Sequence, residues 1–130
     1  MRLDSRADAP FQEPVDILLT NPVGFIVQKL LIHDKRPANK RAQDLLYIHD
    51  TLELFGGALD ILRVLWVNEV RPSMPAKTAR AAETMVQTLF NRVTDAHREA
   101  ARIPLGRALT PEALRAACAY GLGEILREDR

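Results

Sequence analysis

The sequence predicts a mainly α-helical fold, about five helices in an orthogonal or bundle arrangement with one short N-terminal strand. Three observations predict it. Apolar residues recur at three- and four-residue steps through most of the chain, which places them on one face of a helix. Proline and glycine punctuate those stretches at Pro22, Pro37, Gly56-Gly57, Pro72, Pro75, Pro104, Gly106 and Pro111. The length, 130 residues with 47% apolar content, suits one core rather than two. Residues 14–130 therefore read as a single helical domain behind a polar arm, residues 1–13.

Val15 to Leu19 is a short aliphatic run bounded by Pro14 and Thr20-Asn21-Pro22, which predicts one strand. A lone strand needs a sheet from elsewhere. Asn21 is placed to cap the next helix, with Pro22 at its first position, where a missing N–H costs nothing. That helix, Pro22 to Asp34, is apolar almost all round and so is expected to be buried. Pro37 breaks the chain before a second helix, Asn39 to Phe55, whose broad apolar face carries Ala42, Leu45, Leu46, Ile48, His49, Leu52 and Phe55. The two form a helical hairpin. Ala58 to Val70 predicts a third helix. From Pro75 the spacing of Ala79, Ala82, Val86, Leu89, Val93, Ala96, Ala100 and Ile103 predicts one long helix, roughly 40 Å at ~1.5 Å per residue. Thr110-Pro111-Glu112 starts a last helix running to about Leu126.

Composition narrows the function classes. With 18 basic against 17 acidic residues no global field draws the chain to nucleic acid or to an anionic membrane. The one local basic cluster, Lys35, Arg36, Lys40 and Arg41, has no aromatic residue interleaved before Tyr47, so nucleic acid is not an expected partner. A single cysteine, Cys118, excludes an intramolecular disulfide and a Cys-based zinc cluster, which suits a reducing cytoplasm. No apolar run approaches the roughly 20 residues that span a bilayer. Met1 to Glu13 mixes both charges and has no apolar segment, unlike a secretory signal.

The most informative local feature is a conflict inside the first helix. Lys29 and His33 lie four residues apart on a helix that is otherwise apolar, so the lysine must reach solvent or find a partner. On the second helix Lys40, Asp44 and Tyr47 lie at the edge of the apolar face. Because the helices are consecutive and joined by a short loop, Lys29 and Asp44 are expected to meet across the hairpin. One reading is a structural ion pair. The other is a lysine that binds phosphate and an acid that orients it or aids proton transfer.

The run Asn21-Pro22-Val23-Gly24-Phe25-Ile26-Val27-Gln28-Lys29-Leu30-Leu31-Ile32-His33-Asp34-Lys35-Arg36, followed by Lys40-Arg41-Ala42-Gln43-Asp44-Leu45-Leu46, resembles a signature of nucleotidyltransferase-like proteins, among them relatives of the abortive-infection toxins. In that group a helix with proline, phenylalanine, lysine-leucine and arginine precedes a helix with lysine and Lys-Asp-Leu, both behind the catalytic sheet. The likeness covers residues 15–57. It implies a C-terminal helical part that helps hold a nucleoside triphosphate, with Lys29 and Asp44 as the catalytic-site pair and Lys29, Arg36 and Lys40 toward the nucleotide. The family's metal-holding acids come from a Gly-Ser turn and an Asp-x-Asp strand, and this sequence contains no Asp-x-Asp. Gly56-Gly57-Ala58-Leu59-Asp60 lacks the second acid, and Asp16 is either a third acid or a strand-edge residue. The resemblance therefore implies a shortened or split protein that is inactive alone, binds no metal or cofactor by itself, and meets Mg2+ and a nucleoside triphosphate only with a catalytic partner.

Two alternatives stand beside it. Helical phosphohydrolases of the HD type bind metal through histidines and aspartates, and His33, His49, Asp50, Asp95 and His97 supply the residue types. Against that, His49 belongs to the apolar arc while Asp50 points away from it. The third possibility is an interaction module, with a second copy of the chain as partner, for which the orphan strand and the long helix speak.

Overall fold

The computed structural model describes residues 21–127, and these form six α-helices and the turns between them. The expected arm, residues 1–13, and the expected strand, Val15 to Leu19, lie outside the described residues. Helix α1, Pro22–Ile32, starts as its sequence requires: the Asn21 side chain accepts the Gly24 N–H at 3.0 Å and Pro22 takes the first position. Val23, Ile26 and Leu30 are wholly buried, as expected of a helix apolar nearly all round. A 3₁₀ turn, His33–Lys35, finishes it. Arg36 precedes Pro37, which disfavours helical backbone, and Arg36 is extended at φ −90°, ψ 147°. This turns the chain back into α2, Ala38–Leu54.

Helix α3, Leu59–Leu65, passes into a π-helical turn, Trp66–Val70, and a 3₁₀ turn, Arg71–Ser73. Trp66, the largest fully buried side chain, sits where the helix widens. Helices α4, Ala76–Leu89, α5, Asp95–Arg102, and α6, Pro111–Ile125, complete the chain. The long helix expected from Pro75 to Ile103 is therefore corrected to two, and the count of about five becomes six. Periodicity carried on across the break because both helices turn alanines into the core, Ala79 and Ala82 from α4 and Ala100 and Ala101 from α5. A start signal overrides it: Thr94 caps α5, Asp95 lies in its first turn, and the Thr94 N–H donates to His97 Nδ1 at 2.9 Å. On the other side of the break Phe90 leaves helical geometry, and its carbonyl accepts from Arg115 at 2.9 Å.

Helix α2 runs through the middle, packed on α5 and α6, while α1 lies between α2 and α4. Leu45, Ile48, Leu62, Leu114, Leu122 and Ile125 meet in one core with Trp66 and Phe90. Gly121 admits the Leu52 methyls to 3.1 Å of where a Cβ would stand, so α6 and α2 touch closely there. Shortening a side chain in this core removes transfer energy and leaves a cavity, whereas an exposed position leaves neither. Leu122→Ala, at a wholly buried site, is expected to lower the unfolding free energy by about 2–5 kcal/mol in urea titration. Leu105→Ala, at a site 92% exposed, should stay within about 0.5 kcal/mol of the parent.

Candidate functional site

The α1–α2 hairpin brings three charged side chains together. Asp44, two turns into α2, is only 1% exposed. Lys29 Nζ lies 3.3 Å from Asp44 Oδ1. Arg36 reaches the same carboxylate with a fork: Nε donates to Oδ2 at 2.9 Å and an Nη donates to Oδ1 at 3.1 Å. Two cations facing one carboxylate leave a net positive charge at the hairpin. The bond to Asp44 raises the Arg36 guanidinium further above its ordinary value, so it stays charged. Burying a carboxylate costs several kcal/mol, which only close, hydrogen-bonded cations can offset.

The Lys29 ammonium also lies against two aromatic rings, 5.4 Å from the Phe25 centroid and 6.0 Å from that of Tyr47. Phe25 is buried, whereas Tyr47 is 45% exposed, so one face of this charge and ring group is open to water. Lys29 thus does what the sequence demanded of a lysine on an apolar helix, and 11% of its side chain remains accessible. Arg36 joins because the pre-proline geometry lifts it out of the turn. Lys40 does not join: it is exposed on the first turn of α2 and makes no ion pair among the described residues.

Arg41, in the predicted basic cluster, has a different task. Its guanidinium donates to the carbonyls of His33 at 3.1 Å and Asp34 at 2.8 Å, filling acceptors that the end of α1 leaves open. Sequence reasoning missed this role, although a cation near a helix C-terminus is its usual signal.

The His and Asp residues set aside for metal binding are spread apart. Among the described residues no group of three or more His, Cys, Asp and Glu converges as metal ligands would. His97 is wholly buried at the start of α5 and is engaged with Thr94. His33, at the end of α1, is pushed below its ordinary value, first by burial and then by Arg41. His49 and Asp50 do touch, with Nδ1 3.0 Å from Oδ1, although His49 lies in the buried face and the Asp50 side chain is 42% exposed. Arg107 donates to that same Oδ1 through both terminal nitrogens at 3.2 Å. Cys118 is fully buried and burial pushes its thiol up, which keeps it protonated and inert.

Two surface hollows flank the hairpin. One, of ≈ 500 Å3, runs along the outer side of α1 past Gly24, Val27 and Leu31 to Val70 and Met74. Another, of ≈ 360 Å3, lies between the starts of α2 and α5 and includes Arg41, Asp95 and Glu99. Neither contains Asp44. None of the described helices is long and apolar enough to cross a membrane.

Fold and site together define an all-α domain whose first hairpin is tied by a buried carboxylate under two cations. No family model, no characterised protein and no solved structure matches the chain.

Asp44→Ala would strand Lys29 and Arg36 against a void, and the loss expected is about 3–5 kcal/mol of stability by denaturant unfolding. Tyr47→Ala, whose ring only borders the cluster, should cost less than half as much. Equal losses would show that the ring rather than the carboxylate holds the hairpin.

Proposed function

We propose that this chain is the C-terminal helical part of a nucleotidyltransferase-fold protein, inactive alone and assisting nucleotide binding. The observation that supports this most is the imbalance at Asp44: Lys29 and Arg36 share one carboxylate, and the excess positive charge lies beside the exposed Tyr47 ring. A cation next to an open aromatic face suits a phosphate and a base in turn. In this reading Lys29 takes the phosphate as a compact point charge, and Arg36 stays in its fork on Asp44. Asp44 acts as a positioning residue that holds both cations at the mouth of the hairpin. Lys40, one turn away along α2 and unpaired among the described residues, is free to add a second phosphate contact. A catalytic partner brings the metal-binding carboxylates, and with them Mg2+ and the triphosphate.

A second reading, a module that binds a second copy of the chain, draws on α3. There Ile61 and Val64 are 56% and 54% exposed, three residues apart on one side. Concentration-dependent self-association abolished by Ile61→Asp, with no nucleotide bound, would favour it over the first.

Titration with ATP, GTP, CTP and UTP in magnesium is the direct test. Saturable binding of at least one nucleotide is expected, weakened tenfold or more in Lys29→Ala and far less in Gln28→Ala, a neighbouring exposed position. The purified chain should incorporate no labelled nucleotide into RNA, protein or small acceptors. Binding unaffected by Lys29→Ala, or no binding at all, would sink the nucleotide reading, and incorporation by the chain alone would sink the claim that it is inactive by itself.

A further inference from the structure

His97 is a wholly buried titratable side chain that the proposed site does not use, and its surroundings fix its chemistry. The Thr94 backbone N–H points at Nδ1 over 2.9 Å. A backbone N–H can only donate, so Nδ1 carries no proton and the neutral ring bears its hydrogen on Nε2. That Nε2 is buried with no hydrogen-bond partner among the described residues. The ring stands edge-on to Phe90, with centroids 5.5 Å apart and planes at 68°. His97 therefore touches both sides of the break between α4 and α5, the helix end at Phe90 and the helix start at Thr94.

We propose that His97 is an acid-released latch on the corner between α4 and α5. A second ring proton would have to go on Nδ1, where Thr94 Oγ1, 2.8 Å away, could accept it but the Thr94 N–H could no longer donate, so the charged ring loses the backbone half of the cap. The surroundings give that charge little help. Helix α6 presents Arg115 and Glu112, the turn after α1 presents His33, and α5 itself presents Arg98, which is paired with Asp95. On α2, Arg41 and Asp44 act on His33 with opposite sign. Burial first, then Arg115 and His33, push His97 down to about 4 from its ordinary 6.5. A group depressed in this way favours the closed corner fully above pH 6.5. That advantage is lost progressively as the pH falls toward 4. Opening of α5 away from α2 and α6 is then the route by which the ring reaches water and takes its proton.

Hydrogen exchange of the whole chain, read as protection factors for each helix, tests this. Between pH 7.5 and 5.5 the open population of Asp95–Arg102 should rise about tenfold, the ratio expected when a site titrates near 6.5 when open and near 4 when closed. His97→Gln keeps an acceptor at the third helical position, where glutamine serves in capping boxes, but cannot titrate. It should hold α5 closed at both pH values, and nitrogen shifts of the parent ring should report the Nε2–H tautomer at pH 7.5. A rise that persists in His97→Gln, a rise spread equally over all six helices, or an Nδ1–H tautomer would each overturn the proposal.

Discussion

The Asp44 carboxylate on α2 lies almost wholly out of water and is reached by cations from the two preceding pieces of chain, Lys29 on α1 and Arg36 after the turn that ends it. A carboxylate in that position is tolerable only while both partners are in place. The demand runs in both directions. Lys29 could not sit on so apolar a helix without a counter-charge, and Arg36 would otherwise fray from a turn broken by Pro37. The ion cluster thus sets how α1 crosses α2, and α2 is the helix on which α5 and α6 pack. Whatever chemistry the hairpin performs is performed on charges whose geometry is fixed by packing.

A related constraint recurs at the helix ends. Each α-helix leaves its last carbonyls without partners, and in a domain of short helices many such ends are close to the core. Arginines from elsewhere in the chain take them up. Arg41 serves the end of α1, Arg115 donates to Phe90 after α4, and Arg63 donates to Ile125 and Arg127 at 3.0 Å and 2.6 Å after α6. Their planar, permanently charged forks suit carbonyl groups and the negative end of the helix dipole. This explains how a chain with nearly balanced charge places several arginines at junctions rather than in a basic face for an anionic partner.

Much of this was legible in the sequence where local signals agreed. Asn21-Pro22 and Thr110-Pro111-Glu112 announced two helix starts, and the apolar arc of α2 gave most of its buried face, missing Asp44 and Thr51 and including the half-buried Phe55. The meeting of Lys29 with Asp44 followed from an apolar helix with one misplaced cation. The break at Phe90 was hidden because alanines in α4 and α5 preserve a helical spacing across it. Only the Thr94-Asp95-Ala96-His97 start signal marked it, with a histidine where glutamate or glutamine is usual. Arg36 was read as a residue for a nucleotide, not for Asp44, since its reach depends on the extended backbone before Pro37. The carbonyl-binding arginines were invisible for a different reason: Arg63 and Arg115 act across 62 and 25 residues, which no local pattern encodes.

The hairpin joins a structural duty to a face open to water at Tyr47. Asp44 holds two cations, both of which keep part of their side chains in water, Lys29 beside the Tyr47 ring. The central claim is that Asp44 acts through both cations rather than through its own burial. A double-mutant cycle of Arg36→Ala with Asp44→Ala, measured by denaturant unfolding, tests it most directly. A coupling energy of about 1–3 kcal/mol is predicted, because removing one partner changes what the other is worth. Losses that simply add, to within about 0.5 kcal/mol, would contradict it.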